Sequence, residues 1–204
     1  MFTRRTALSL LAGAGLAPLV SPRLARAQSL EEEGPLGDVW MGAEDAPVTV
    51  IEYASLTCSF CARYHAETFP HVKATYIDTG KIRYALREFP LDPLATAGFM
   101  LARCEEDRFY PISDLLFETQ RQWAFAERPL DALSNLMRQA GFSQERFESC
   151  LRDQTLFDAV NDVRERGAAL GVNSTPTFFF NGERRSGALT IAEFDAIVQP
   201  LLPS

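Results

Sequence analysis

The feature that most constrains the fold is a strand-length run that leads directly into a pair of cysteines. The run Val48–Ala54 is rich in β-branched residues, which favours a strand, and its apolar character favours a buried one. Cys58 and Cys61 then begin a stretch in which apolar residues recur at helical spacing. We expect Thr57 to cap this helix with its hydroxyl oxygen. The pattern predicts two cysteines in the first turn of a helix that follows a buried strand.

The remaining apolar patterns separate into strand segments and a long helical block. A second strand is predicted over 81–89, and Asn181-Gly182 is a turn signal within a hairpin over 176–186. Helices are expected over 93–103, 110–125, 131–140, 143–152, 156–170 and 191–201. The order strand, helix, strand, helical block, helix, hairpin, helix indicates an α/β domain that is interrupted by a helical insertion.

The first 27 residues have the features of an export signal. Arg4 and Arg5 precede an apolar run over 7–20, and Ala25-Arg26-Ala27 is a small-x-small cleavage pattern. The run of about 14 residues is shorter than the roughly 18 that a membrane span requires, so an uncleaved anchor is the less favoured alternative. The arginine pair resembles a bacterial twin-arginine signal, with the general secretory route as the alternative. We therefore expect a periplasmic protein with no stable membrane insertion after signal cleavage, and a flexible leader over 28–36.

The charge of the chain excludes one class of partner. Four of its 20 basic residues lie in the export signal, which leaves 16 against 27 acidic residues and a net charge of about −11. A strongly acidic surface repels phosphate backbones and anionic membrane surfaces. We therefore expect neither nucleic acid nor an anionic membrane surface as a partner.

Three kinds of role are open to Cys58 and Cys61: a structural staple, part of a metal site, or a reaction centre. A disulfide within a four-residue loop restrains the unfolded chain by about 2 kcal/mol, whereas a loop closed by Cys104 and Cys150 gives about 4 kcal/mol. A zinc site would require further cysteine or histidine ligands at close spacing, and the chain has only two histidines. We expect no metal ion and no organic cofactor. An inert, reduced pair remains the alternative to a reaction centre.

The position of the pair gives the reaction centre a physical mechanism. A sulfur at the first turn of a helix lies near unpaired backbone N–H groups and the positive end of the helix dipole, which stabilise a thiolate. Cys58 is therefore the predicted nucleophile. Cys61, one turn along the same face, can attack a mixed disulfide on Cys58 and release the bound partner. The spacing thus predicts thiol–disulfide exchange.

Beyond the cysteines, the sequence resembles the exported DsbA-like thiol–disulfide oxidoreductases of the thioredoxin superfamily along nearly the whole mature chain. The matching segments are 45–53 (DAPVTVIEY), 58–61 (CSFC), the helical block over 92–151, and 171–177 (GVNSTPT). The resemblance implies a thioredoxin-like domain over 37–91 and 152–204 with a helical insertion over 92–151. It also implies a cis peptide between Thr175 and Pro176, which packs against the Cys58 sulfur and leaves the Thr175 backbone free to pair with an extended substrate.

Two further sets of residues take their roles from this resemblance. Glu52 matches the acid that the family keeps beneath the active site, and we hypothesise that it relays the proton as Cys61 becomes a thiolate. An exposed strand glutamate is the alternative. Cys104 and Cys150 match a second, structural disulfide of some family members, against two reduced core thiols. His65, one turn beyond the cysteine pair, is expected to pack rather than to take part in catalysis.

The direction of electron flow stays open at this point. Strong oxidants of the family carry Pro-His between the cysteines, whereas this chain has Ser59-Phe60, which implies a less oxidising pair. Thr175 before the proline resembles the reductase and isomerase branches. No separate dimerisation segment is evident, so we expect a monomer and favour the oxidase direction.

The expected partners are reduced or misoxidised exported proteins and a membrane redox partner. A redox-inactive, chaperone-like binding protein is the alternative function from another class.

Overall fold

The computed structural model describes residues 30 and 32–203, and within them one sheet carries the fold. Its order is β1-β3-β2-β4-β5, with β2 and β3 parallel and the other neighbours antiparallel. The strands are β1 Trp40–Met41, β2 Val48–Ala54, β3 Ile82–Glu88, β4 Thr177–Phe180 and β5 Glu183–Ser186. The predicted strand over 48–54 is therefore confirmed at both ends, and it lies at the centre of the sheet.

Helices cover both sides of this sheet. The first part of the chain contributes α1 Ser59–Glu67, α2 Phe69–Val72 and a π-helical turn, Lys73–Ile77. The inserted block contributes α3 Pro93–Arg103, a 3₁₀ turn Glu106–Arg108, α4 Phe109–Glu118, α5 Gln120–Trp123, α6 Pro129–Gln139 and α7 Gln144–Arg152. The chain then forms α8 Gln154–Ala169, α9 Ile191–Val198 and a 3₁₀ turn, Gln199–Leu201. The α/β class with a helical insertion is confirmed.

The predicted and observed elements differ by one to three residues at several ends, and by more in two places. The helix expected over 110–125 is split at Thr119, where the backbone leaves helical geometry between α4 and α5. The two-residue strand β1 was not predicted, because it is defined by its pairing with Tyr84 and Ala85 of β3 rather than by a local pattern.

Alternation along β2 decides which of its residues reach the active-site side. Val50 and Ala54 lie in the larger core cluster with Cys61 of α1, whereas Ile51 and Tyr53 lie in a second cluster on the other face. Successive side chains of a strand point to opposite faces. A charged residue at position 52 therefore enters the larger core, on the face that carries the cysteine helix.

The inserted block packs closely on the segment that precedes the cysteines. Gly98 of α3 lies so near Leu56 that an added Cβ would be 2.9 Å from its Cδ1 atom. A glycine is therefore needed here for the insertion to approach the active-site loop. Gln120 of α5 reaches the same loop with its side chain. The site is built where the insertion meets the sheet domain.

The N-terminal predictions fall at the edge of the described residues. The export signal over 1–27 lies outside them. Leu30 is buried with Val163 and Leu170, and Leu36 packs against both clusters, so the leader expected over 28–36 contacts the domain at these two positions. No helix among the described residues is long and apolar enough to cross a membrane.

Candidate active site

Cys58 occupies the N-cap position of α1, with extended backbone angles of φ −79° and ψ 118°. The expected cap by Thr57 is wrong. Its hydroxyl donates instead to Oδ2 of Asp92 at 2.5 Å, and Asp92 caps α3 by accepting from the backbone of Ala95. The N-cap position lies one residue further on, at Cys58, and no side chain caps it. The first turn of α1 therefore keeps backbone donors for the Cys58 sulfur.

The surroundings of Cys58 stabilise its thiolate. Hydrogen bonding from the Cys61 thiol is the largest cause that lowers the Cys58 pKa, which falls to about 5. The side chain of Thr175 and the backbone N–H groups of Cys61 and Phe60 act in the same direction, and burial opposes them. A thiolate that accepts several hydrogen bonds is favoured over the thiol. Cys58 is therefore ionised at neutral pH.

Cys61 has the opposite electrostatics. Its side chain is fully buried, with 0% exposure, against 9% for Cys58. Burial is the main cause that raises the Cys61 pKa, and the hydrogen bond to Cys58 and the charge of Glu52 raise it further. A pair whose two pKa values are pushed apart has one group that attacks and one that holds a proton. This asymmetry suits the roles predicted for Cys58 as nucleophile and Cys61 as resolving thiol.

The chain returns to Cys58 at the loop before β4. The Thr175–Pro176 peptide bond is cis, and the carbonyl oxygen of Thr175 lies 3.3 Å from the Cys58 sulfur. Thr175 is buried, and its side chain is among the causes that lower the Cys58 pKa, although its hydroxyl oxygen makes no close hydrogen bond to any described residue. The structure thus brings residues 58 and 175 together.

Glu52 lies within the protein rather than on its surface, with 0% exposure. Its Oε2 atom accepts a hydrogen bond from the hydroxyl of Tyr84 and lies 3.0 Å from Nε2 of His65. Its Oε1 atom has no hydrogen-bond partner among the described residues. The structure therefore places Glu52 in the larger core, where its charge acts on Cys61.

His65 does more than the packing role expected for it. The ring does pack, stacked on Phe117 with centroids 4.1 Å apart, but it also contacts Glu52. The spacing of four residues from Cys61 indicates the shared helix face, yet nothing in the sequence links position 65 to position 52. The contact depends on how α1 lies across β2.

Gln120 is a second residue that the sequence did not indicate. Its buried amide donates to the carbonyl oxygens of Leu56 and Cys58, at 2.8 and 3.0 Å. Both carbonyls belong to the loop that carries Cys58. Gln120 therefore fixes this loop from the helical insertion, and only the folded contact identifies it, since 62 residues separate it from Cys58.

The other two cysteines form a disulfide between Cys104, which ends α3, and Cys150 of α7, with an S–S distance of 1.97 Å. It joins two helices of the insertion. Within residues 30 and 32–203, no group of three or more His, Cys, Asp or Glu side chains is arranged to hold a metal ion.

Comparison with known proteins places this site in a family. The model of the thioredoxin family matches residues 35–200. A Rickettsia bellii protein named as a protein-disulfide oxidoreductase is 34% identical over 151 residues, which cover 71% of this chain and 57% of that relative. The chain thus spans little more than half the length of this relative.

Solved structures show the same relationship. The structure of α-DsbA1 from Wolbachia pipientis is similar, with a TM-score of 0.78, 28% identity, and coverage of 86% of this chain and 95% of that one. BdbD from Bacillus subtilis, at 18% identity, shares the fold with a TM-score of 0.68, over 80% of this chain and 92% of its own. The chain therefore belongs to the thioredoxin family, with the fold of its DsbA-like thiol–disulfide oxidoreductases.

Proposed function

We propose that this protein is a thiol–disulfide oxidoreductase that exchanges disulfides with cysteine-containing exported proteins. The observation that carries the proposal is the pair Cys58 and Cys61, in which the first pKa is lowered to about 5 and the second is raised. One partner is ionised and keeps 9% exposure, while the other is completely buried and protonated. This asymmetry suits an exchange reaction in two steps.

In the oxidase direction, a substrate thiolate attacks Cys58 of the Cys58–Cys61 disulfide, and Cys61 leaves as a thiolate that takes up a proton. A second substrate thiolate then attacks the substrate sulfur of the mixed disulfide. A substrate disulfide forms, and Cys58 leaves as a stabilised thiolate. Two electrons pass from the substrate to the pair, so a membrane redox partner must accept them and reoxidise it. The reductase direction reverses each step.

Thr175 is the proposed substrate-binding residue. Pro176, joined to it by a cis peptide bond, is the last residue of the loop before β4. The Thr175 carbonyl oxygen lies 3.3 Å from the Cys58 sulfur, so a substrate backbone paired with Thr175 would bring its cysteine to the nucleophile. Pairing through the backbone depends little on side chains. It would therefore allow exported proteins of many sequences to act as substrates.

Glu52 is the proposed proton relay for Cys61. A fully buried thiol cannot exchange its proton directly with water, and the charge of Glu52 acts on Cys61. A carboxyl group that passes the proton lowers the barrier to forming or protonating the Cys61 thiolate. Glu52→Gln should therefore change the pH dependence of the exchange.

The lowered pKa of Cys58 favours the oxidase direction. A value of about 5 lies between the roughly 7 of thioredoxin and the roughly 3.5 of a strong oxidant. Stabilising the reduced form makes a disulfide more oxidising. The reductase or isomerase direction remains the alternative. The proposed setting is the periplasm, after removal of residues 1–27. The mature chain would be a monomer, with a thioredoxin-like domain over 37–91 and 152–204 and a helical insertion over 92–151.

The test follows a reduced two-cysteine peptide as the oxidised protein converts it to a disulfide. We expect stoichiometric oxidation by the unchanged protein. With oxidised glutathione in place of the peptide, the Cys61→Ala variant should form a stable mixed disulfide on Cys58, because no second cysteine resolves it. Cys58→Ala should abolish the reaction, whereas Cys104→Ala/Cys150→Ala should retain it. A Cys58→Ala variant with full activity in cells would contradict the proposal and favour a chaperone-like binding protein.

A further inference from the structure

Cys61 and Glu52 are both cut off from water. Each side chain has 0% exposure, yet the Cys61 step takes up or releases one proton. A relay that ends at Glu52 leaves this proton inside the core. Proton transfer requires groups within hydrogen-bond reach or joined by one water. A titratable group that contacts Glu52 on one side and approaches the surface on the other would complete the path.

His65 has the geometry for this connection. Its Nε2 atom lies 3.0 Å from Oε2 of Glu52, and its Nδ1 atom lies 3.9 Å from Oδ1 of Asp114 on α4. The two ring nitrogens thus face a buried carboxyl on one side and a second carboxyl on the other. An imidazole can accept a proton on one nitrogen and donate one from the other.

In the series Glu52, His65 and Asp114, the last residue is the one in contact with solvent, since 53% of its side chain is exposed. Partial burial is the largest cause that raises its pKa; Glu52 and Glu118 raise it further, whereas His65 and Lys73 lower it. The separation of 3.9 Å between the ring and the carboxylate is the span that a small rotation or one bridging water can close.

The aromatic neighbours of Glu52 and His65 do not exchange protons at neutral pH. The hydroxyl of Tyr84 donates to Glu52, and the ring of Tyr64 contacts His65 edge to face. Burial raises the pKa of both phenols well above the ordinary value, so both stay protonated. Phe117, stacked on His65, carries no proton to exchange. Of the described side chains that bond Glu52, His65 is the one suited to carry a proton.

We propose that His65 carries the proton between Glu52 and solvent at Asp114 each time Cys61 reacts. The proposal rests on the exchange function and deepens it. When Cys61 leaves as a thiolate, it takes the proton of Glu52. The Glu52 carboxylate takes the proton from Nε2 of His65, and Nδ1 takes one from Asp114 or from water beside it. Nothing is oxidised or reduced in these transfers, and they run backwards when Cys61 attacks. His65 acts through Glu52 and is therefore a positioning residue.

The experiment measures the reactions of Cys58 and Cys61 as two successive steps. Reduced protein is mixed with oxidised glutathione, quenched with acid at successive times, and analysed by mass spectrometry between about pH 5 and about pH 9. Formation of the glutathione mixed disulfide reports on Cys58. Its conversion to the Cys58–Cys61 disulfide reports on the proton released by Cys61. If the unchanged protein forms neither the mixed disulfide nor the Cys58–Cys61 disulfide, the exchange function itself fails.

The informative variant is His65→Gln, whose amide can still donate to Glu52 but cannot pass a proton. We expect mixed-disulfide formation within about twofold of the unchanged protein and conversion about tenfold slower, with an altered pH profile. The matched control is His71→Gln, because His71 bonds Asp195 instead. Conversion at the original rate in His65→Gln, or equal slowing in His71→Gln, would overturn the proposal.

A measurement on the unchanged protein covers the case in which His65→Gln does not fold. Histidine labelled with ¹⁵N gives signals from only two residues, and His71→Gln assigns them. We expect the signals of His65 to change their protonation or tautomer between the reduced and oxidised protein. A single tautomer and protonation state throughout, from about pH 5 to about pH 9, would also overturn the proposal.

Discussion

The sulfur of Cys58 lies 3.3 Å from the carbonyl oxygen of Thr175, although 117 residues separate the two in the chain. The contact joins the first turn of α1 to the loop before β4. It brings the nucleophile and the proposed substrate-binding backbone to one place. The reactivity of Cys58 therefore depends on two distant segments of the fold, and each can be tested separately.

The first prediction concerns the ionisation of Cys58. Its pKa is lowered to about 5, so alkylation by iodoacetamide should rise with pH through about 5 and stay constant above it. Only the thiolate reacts. The measurement is the rate of Cys58 modification, followed by mass spectrometry on the reduced protein. A rate that still climbs near about pH 8, as for a free cysteine, would contradict the lowered pKa.

Thr175→Val tests the contribution of the Thr175 side chain. It removes a hydroxyl that lowers the Cys58 pKa, so the pKa should rise. A contribution as large as one hydrogen bond, about 0.5–1.5 kcal/mol, corresponds to alkylation about two- to tenfold slower below the midpoint. Thr175→Ser retains the hydroxyl and is the matched control. Equal alkylation rates in the two variants would show that other groups stabilise the Cys58 thiolate.

Gln120→Met tests the link between the insertion and the nucleophile. The change leaves the buried carbonyl oxygens of Leu56 and Cys58 without this donor, which costs about 1–3 kcal/mol of unfolding free energy. Chemical denaturation measures the loss. Gln122→Met, at an exposed position two residues along, is the control and should change stability by less than about 0.5 kcal/mol. Equal effects of the two variants would refute the assigned role.

Removing the Cys104–Cys150 disulfide should affect stability rather than exchange. The bond closes a sequence separation of 46 residues. Its loss should lower the free energy of unfolding by about 2–4 kcal/mol, because the unfolded chain regains freedom. The Cys104→Ala/Cys150→Ala variant is compared with the oxidised parent in urea. Unchanged stability, or a lost exchange activity in a folded variant, would contradict the structural role.

The sequence predicts best those elements that a local pattern defines. The strand over 48–54 and the helix over 93–103 have the same bounds in the structure, because each combines an apolar pattern with a clear start signal. The cap assigned to Thr57 was wrong because the helix begins one residue later, with Cys58 at the N-cap, while the Thr57 hydroxyl donates to Asp92, 35 residues away. A partner so distant in sequence is not contained in a local pattern.

The residues of the candidate site likewise fall into those that a local motif predicts and those that only the fold brings together. Cys58, Cys61 and Glu52 follow from one continuous motif and from the family that it resembles. The contact of His65 with Glu52 depends on how α1 packs on the sheet. The hydrogen bonds from Gln120 to the loop before α1 depend on how α5 packs against that loop. Neither residue carries a sequence signal for its partner. Only the assembled fold identifies them.

The most direct test of the account is the redox midpoint of Cys58 and Cys61. The mature protein is equilibrated in glutathione buffers of graded potential, alkylated, and analysed by mass spectrometry. We expect the two cysteines to titrate together, with a midpoint between about −120 and about −270 mV, because the Cys58 pKa lies between those of a strong oxidant and thioredoxin. A midpoint at or below about −270 mV would contradict the oxidase direction. A pair that never exchanges at any potential would contradict the function itself.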